Sequence, residues 1–445
     1  MTRLGDVCEK IGSGATPRGG KEAYKDAGIP IIRSQNIHDW VFQPDGLAFL
    51  DDEQAESLSN VEVRSNDVLL NITGDSVARA CIVPSECIPA RVNQHVAIVR
   101  AGKEINPTYL LASLQSKKTM LLSLASSGAT RNALTKRMIE NLDIDLPSRE
   151  IQDSIAQVLD SIQYKITLNN RLNDYLEQLV DGKFQELFGG LNFNATLSDV
   201  AEITMGQSPA GSSYNEEGAG IIFYQGRGEF GWRFPKRRLY TTEPKRLACE
   251  GDVLMSVRAP VGDLNVAFEN CCIGRGLAAI HSETPSFALY LMRFLKPQLE
   301  AYNGEGTVFG SINGKALKSL EVALPSHNEV MQFESFAAPI DALIRSNENE
   351  TRKLNNLRNY LLPKLMSGEI DVSKVDLTQL TNNHLPARGH NVPNCYWKEP
   401  LWKPSLIVFC RRCRTCLIRH SSNIWPKYSE SRCCQLRKHQ RRRIC

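Results

Sequence analysis

Arginine, asparagine and glutamine recur in short loop-like stretches of this chain, in combinations whose chemistry is the reading of base edges. An Arg presents two parallel N–H donors to guanine, and Asn or Gln pairs with adenine in the major groove. In the first half the candidates are Arg33, Gln35 and Asn36; Arg91, Asn93 and Gln94; Arg131 with Asn132; and Lys136 with Arg137. In the second half they are Gln225, Arg227, Arg233, the run Lys236, Arg237 and Arg238, then Arg258, Arg275, and Asn313 with Lys315. Exposed loops are polar in any protein, so the clusters count for more than their members. The two sets differ from one another, as readers of two different half-sites would.

Signatures of bond-making chemistry are missing. A phosphate-binding loop fails twice: Ala15 to Lys21 runs into Glu22, and Gly310 to Lys315 has the wrong spacing and continues to Ala316. No Asn/Asp-Pro-Pro-Tyr/Phe run of the amino-methyltransferase kind occurs. Asp45, Asp51, Asp52 and Glu53 resemble a nuclease carboxylate set without its lysine, and read as a solvated acidic loop. Histidine, cysteine and carboxylates fall at no metal-ligand spacing before residue 376, so no catalytic or metal residue is expected there.

The loops need a framework to hold them, and the sequence supplies it twice. Leu4 to Ile11 and Leu197 to Ile203 open the copies and end in Gly- and Pro-bearing loops. Strand-like runs follow at 29–32 and 221–224, then Asp67-Val-Leu-Leu70 and Asp252-Val-Leu-Met255, then buried strands at 97–99 and 278–280. Helices are expected over 107–124 and 287–299, and each copy closes on a strand ending in Leu-Pro, at 146–147 and 324–325.

A long helix follows each copy. Ile151, Ile155, Val158, Ile162, Leu172, Leu176 and Leu179 keep the 3.5-residue spacing of an a/d seam. The seam returns 178 residues later at Phe333, Phe336, Ile340, Leu343, Leu354 and Leu357. Asn169 and Asn347 fall at the same seam position, where a buried amide fixes register. Ser148 and Ser326 are the expected N-caps, Gly189 and Gly368 the stops, and Pro339 and Pro363 should kink the second helix or break its start. The fold expected is therefore α+β: two similar mixed-sheet domains, each followed by a long helix, with the helices packed as an antiparallel coiled coil about a pseudo-two-fold axis. The boundaries are 1–147, 148–190, 191–325 and 326–370, with a tail over 371–445.

Charge is unevenly placed. Residues 376–445 carry 14 Lys+Arg against 3 Asp+Glu, leaving 39 against 46 for residues 1–375. Any nucleic-acid contact of the body must rest on local patches. No run is apolar enough to cross a membrane, and the patterned sequence begins by Leu4, so a cytoplasmic protein without a signal peptide is expected.

The two Asp-Val-Leu blocks, the two Leu-Pro-Ser helix entries and the run Leu357-Arg-Asn-Tyr-Leu-Leu-Pro-Lys-Leu-Met-Ser-Gly-Glu-Ile370 resemble the specificity subunit of type I restriction–modification enzymes over about residues 1–375. The resemblance implies two target-recognition domains on one half each of a bipartite duplex DNA site, and no catalysis or cofactor in this chain. It implies docking of two methyltransferase (modification) subunits that use S-adenosylmethionine, and of restriction/translocase subunits that use ATP and Mg²⁺. The alternatives are the specificity part of a related, fused restriction–methylation system, or a coiled-coil structural adaptor with protein-binding lobes. The tail departs from the family. Cys410, Cys413 and Cys416 match no standard zinc spacing, and the tail reads as basic sequence without selected structure.

Overall fold

A computed structural model describes residues 1–126, 132–304 and 310–374. Arg131 and the tail from residue 375 onward lie outside the described residues. The first lobe holds β1 (Cys8–Ser13), β2 (Ile29–Ile32), β3 (Ala48–Leu50), β4 (Glu62–Val63), β5 (Val68–Asn71), β6 (Ala80–Ile82), β7 (Ala90–Val92) and β8 (Val96–Ala101). They form two sheets, ordered β1-β8-β5-β6 and β3-β2-β7-β4, with β2 and β7 parallel. The second lobe holds β9 (Glu202–Met205), β10 (Tyr214–Asn215), β11 (Ile221–Tyr224), β12 (Tyr240–Thr241), β13 (Leu247–Ala248), β14 (Val253–Ser256), β15 (Leu264–Val266), β16 (Cys271–Ile273) and β17 (Leu277–His281). Its sheets, β9-β17-β14-β15 and β10-β12-β11-β16-β13, repeat the plan, with β11 and β16 parallel.

The strands β5 and β8 lack polar alternation because both their faces are covered. Val68, Leu70, Ala97 and Val99 face the helices, while Leu69, Val96 and Ile98 face the other sheet. The covering helices are α1 (Pro107–Ser116) and α2 (Lys118–Ser126), followed by α3 (Lys136–Glu140) and the long α4 (Arg149–Phe188). Their counterparts are α5 (Pro285–Phe294), α6 (Lys296–Glu300), α7 (Gly314–Lys318) and the long α8 (His327–Met366). Each single helix expected over 107–124 and 287–299 is thus two. Pro297 marks the second break, since proline starts a helix more readily than it continues one. The strands expected to end at Leu146-Pro147 and Leu324-Pro325 are two-residue pieces, Asp143–Ile144 and Glu321–Val322, paired with the start of their own lobe.

The helices α4 and α8 have 40 residues each, roughly 60 Å of straight helix. They run antiparallel, as contacts near the start of one fall near the end of the other. Gln163 meets Arg358, Lys165 meets Glu350, and Asn173 meets Asn347. The amide of Asn347 donates to Asn173 Oδ1 at 2.8 Å, and that of Asn169 to Glu350 Oε2 at 2.8 Å. Both Asn169 and Asn347 are buried, as is Asn173, which the seam count did not include. Ile155 and Leu159 of α4 close the first lobe's core together with Leu362 and Leu365 of α8. Val180, Phe184 and Phe188 close the second with Val330, Phe333 and Ala337. Each core is therefore completed by the beginning of one long helix and the end of the other.

Three expectations need correction. Ile151, Leu172, Leu179, Leu343 and Leu357 are exposed; the buried line of α4 keeps Ile155, Ile162 and Asn169 of the expected seam but otherwise passes through Ile166, Asn173 and Val180. A straight 3.6-residue helix drifts about 20° per heptad from a 3.5-residue count, enough to move the stripe off the expected leucines. The helix α8 starts at His327 and runs unbroken past Pro339 and Pro363, so the prolines do not break its start. Both prolines, and the residues Ser335 and Asn359 whose carbonyls lose a donor, are exposed, on the side of the helix where a lost rung costs least. Ser148 precedes α4 without a side-chain cap, whereas Ser326 forms a capping box with Glu329. The glycine stops fall where expected: Gly189 is the C-cap of α4, in a right-handed conformation, and Gly368 takes the left-handed φ of +75° after α8.

Candidate nucleic-acid interface

Four segments distant in sequence meet at one end of the first lobe. The Ile72 amide donates to the His95 carbonyl, Gly74 to Asn132, Leu134 to Ile72, and Asn93 to Ile32. The Asn71 side chain donates to the Ser34 carbonyl at 2.9 Å, and Thr73 Oγ1 lies 2.7 Å from His95 Nδ1. The turn after β2, the β5–β6 hairpin, the β7–β8 turn and the segment before α3 therefore form one surface.

The second lobe repeats those bonds. Val257 donates to Gly276, Ala259 to Gly310, Ile312 to Val257, and Gly274 to Tyr224. Both lobes bring a glycine against the turn after the parallel strand. A Cβ on Gly14 would lie 2.0 Å from the Val92 oxygen, and one on Gly206 2.2 Å from the Gly274 oxygen. Matching the frameworks bond for bond puts Arg33 opposite Gln225, Gln94 opposite Arg275, Thr73 opposite Arg258, and Arg137 opposite Lys315. Arg and Gln have changed places at two of these four positions. The backbone is kept and the donor–acceptor pattern is not.

Several sequence candidates lie on this surface. Gln35, Gln94, Asn132, Lys136 and Arg137 are exposed in the first lobe, and Arg33 is partly so. Gln225, Arg258, Arg275, Asn313 and Lys315 are exposed in the second, and Arg227, Lys236, Arg237 and Arg238 are exposed outside its four segments. Asn313 is committed in part, since its Oδ1 caps α7 by accepting from the Ala316 amide. Arg227 pairs with Asp263, Arg237 with Glu269, and Arg238 with Glu216 and Glu229. Among the described residues, Arg258 and Arg275 form no ion pair. His38 is held below its ordinary pKa by burial and then by Arg79, against an opposing pull from Asp39.

Four candidates are structural instead. Arg91 is buried, donating from Nε to the Ala55 carbonyl and pairing with Glu62. Asn36 is fully buried, bonding Arg33, Gln43 and Asp45 backbone to hold its turn. Asn93 is buried and accepts from the His95 amide. Arg233 is 4% exposed and lies between Glu177 of α4 and Asp341 of α8, each at 3.0 Å, fastening the lobe to both long helices. Sequence spacing carries no burial, so these looked like their exposed neighbours. His95, the end of the Arg91–His95 candidate run, lies on the surface with Thr73 and Arg79, which the sequence reading does not single out. Only their place beside the Asp-Val-Leu block and the turn could have flagged them.

The pattern of the family described as "Type I restriction modification DNA specificity domain" matches residues 1–178 and 194–359. A chain assigned to the MjaX type I restriction enzyme of Methanocaldococcus jannaschii as its specificity subunit is 29% identical over 401 residues, covering 84% of this chain and 93% of that one. The MjaVIII type I restriction enzyme specificity subunit of the same organism is 21% identical over 414 residues, 84% of this chain and 94% of that one. Among solved structures, a type I restriction–modification S subunit from M. genitalium has a similar fold, with a TM-score of 0.53 at 14% identity over 82% of this chain and 95% of that one. An HsdS subunit from Thermoanaerobacter tengcongensis is 26% identical over 83% of this chain and 96% of that one, with a TM-score of 0.32.

Proposed function

The chain belongs to the type I restriction modification DNA specificity family, as a non-catalytic specificity subunit with two DNA specificity domains, and on that premise we propose how it reads its site. The domains span 1–147 and 191–325, and each lays its four-segment surface on one half of a bipartite duplex sequence. Gln94, Arg33, Asn132 and Arg137 are the first domain's contacts, with Gln35 and Lys136 beside them. Arg275, Gln225, Arg258 and Lys315 are the second's, with Arg227, Asn313 and the Lys236–Arg238 run beside them. The observation that carries this is the shared hydrogen-bond framework bearing exchanged side chains. The paired helices, 148–190 and 326–370, set the unread spacer, with Asn169, Asn173 and Asn347 holding their register.

The purified chain with its modification partners should bind one bipartite sequence at one spacer length from a library of random halves and spacers. Its affinity should fall steeply between 50 and 200 mM salt, by about 10³-fold or more for six or more phosphate contacts. Equal binding to all sequences, or at all spacers, would remove the reading.

The partners follow from the same premise. Two modification subunits using S-adenosylmethionine would methylate the site, and restriction subunits using ATP and Mg²⁺ would join them in the cytoplasm. Among the described residues no helix is long and apolar enough to cross a membrane. Tyr164, Leu168, Leu172, Tyr175 and Leu179 form an exposed apolar stripe along α4, away from α8. An uncovered line of this kind marks a protein contact, and its occupant here is the modification subunits. Leu168→Glu with Leu179→Glu should weaken co-purification of those subunits by roughly tenfold, the effect of losing one well-packed anchor. Unchanged assembly would place them elsewhere.

A further inference from the structure

At the end of each lobe away from the reading surface, one turn is built identically and then diverges. In the first lobe Asp67 accepts from the Arg64 amide at 2.7 Å, and its other oxygen accepts from Arg100 Nε at 2.7 Å. In the second lobe Asp252 accepts from the Cys249 amide at 2.7 Å, and its other oxygen lies 2.7 Å from His281 Nδ1. The strand registers agree, since Val68 pairs with Val99 and Val253 with Ile280. Cys249 thus stands where the first lobe has Arg64, and His281 where it has Arg100. Both guanidiniums have gone together, and the carboxylate between them has stayed.

The loss leaves charge without a fixed counterpart. Arg64 and Arg100 together lie against Glu9 and Asp67 in the first lobe. In the second lobe Glu202 faces His281 directly across the β9–β17 pair. Among the described residues, neither Asp252 nor Glu202 pairs with a lysine or arginine. A thiol and an imidazole are poor substitutes for two permanent cations, but they are good ligands for one dication.

We propose that Cys249, Asp252 and His281 bind a zinc ion; Cys249 gives up its proton to bind as the thiolate, so the ion adds one net positive charge beside Asp252 and Glu202, where the first lobe has two arginines. The ligand atoms of the three residues lie within 4.8 Å of one another. A tetrahedral zinc holds its ligands about 3.5 Å apart, so small side-chain rotations close the site. Asp252 is buried and already oriented, because one oxygen is fixed by the Cys249 amide and the other lies against the His281 ring, which a bound metal would share with it. Cys249 and His281 are exposed, giving the ion a path from solvent. The fourth position falls to Glu202 or to water. Between Cys249 and Asp252 lies Glu250, whose carboxylate meets Arg345 of α8 at 2.7 Å. Zinc here stiffens the turn that ties the second lobe to its long helix, and leaves the first lobe untouched.

The test uses the full chain, freed of metal by chelation and titrated with Zn²⁺ and Co²⁺. The native chain should bind one more equivalent of zinc than Cys249→Ser or His281→Arg. Differences between these proteins cancel whatever the cysteines beyond residue 374 bind. Cobalt should give a thiolate charge-transfer band that is reduced in Cys249→Ser. Affinity at the site should fall at least 10- to 100-fold in either variant, since changing even an outer partner of a metal ligand has that effect. The His281→Arg chain restores the first lobe's ion pair, so it should stay folded, and zinc should raise the melting temperature of the native chain but not of this variant. Equal zinc stoichiometry in all three proteins with an unchanged cobalt spectrum would overturn the proposal, and leave His281 as a simple partner of Asp252.

Discussion

Replacing Gln94 by Arg should change the preferred base at one position of one half-site from adenine to guanine, and leave the other half-site as it was. Gln94 stands exposed in the turn between β7 and β8, at the position Arg275 takes in the second lobe. The backbone on either side is fixed by the same two hydrogen bonds in both lobes, so the new guanidinium should emerge where Arg275 emerges. A bidentate contact is worth about 1–3 kcal/mol against the wrong base, roughly 5- to 150-fold. Arg275→Gln should produce the opposite change in the second half-site. Base preference at each position, measured by competition among duplexes differing at single base pairs, decides the matter. Uniform weakening with a salt slope lower by about one would instead assign the residue to a phosphate. Altered preference in both half-sites would contradict independent reading by the two lobes.

The second large effect concerns the attachment of a lobe. Arg233→Met should destabilise the second lobe by about 3 kcal/mol, toward the lower end of the range for breaking a buried ion pair. Its guanidinium donates to Glu177 and Asp341 at 3.0 Å and to the Tyr290 hydroxyl at 3.2 Å. Burial alone would lower its pKa, but Tyr290, Asp341 and Glu177 reverse that and hold it above the usual arginine range. Removing it strands two carboxylates that are themselves mostly buried. Arg293 still meets Glu177 at 2.8 Å, which is why the loss stays near the low end. Asp341→Leu in the same chain should restore part of the stability, since the stranded charge goes with it. Denaturant unfolding measures both, and a loss under about 1 kcal/mol for the single variant would show the pair to be incidental. In DNA binding, recognition should fail at the second half-site before the first.

These two residues show what the sequence reveals and what it hides. The repeat, the strand pairs and both long helices were legible because hydrophobic spacing and the Asp-Val-Leu blocks are local patterns. In the sequence Arg91 and Arg233 stand among the base-edge candidates, because a guanidinium in a polar run looks the same whether it meets water, a carbonyl or two carboxylates from other elements. The leucines of α4 were misplaced for a related reason. Two parallel stripes of apolar residues run along it, and only the partner helix determines which one is covered. The pairing of Gln94 with Arg275 was out of reach, because it rests on hydrogen bonds between segments far apart in the chain.

The shared cores have a consequence for how the protein comes into being. The apolar face of Leu4, Tyr109, Ile144, Ile155 and Leu159 is sealed by Leu362, Leu365 and Val372, some 200 residues further on. On a ribosome adding about 5–20 residues per second, the amino-terminal half waits roughly 10–40 s for its own closing piece. The half made first is finished last, and until then its open side is a surface for chaperones or for neighbouring nascent chains.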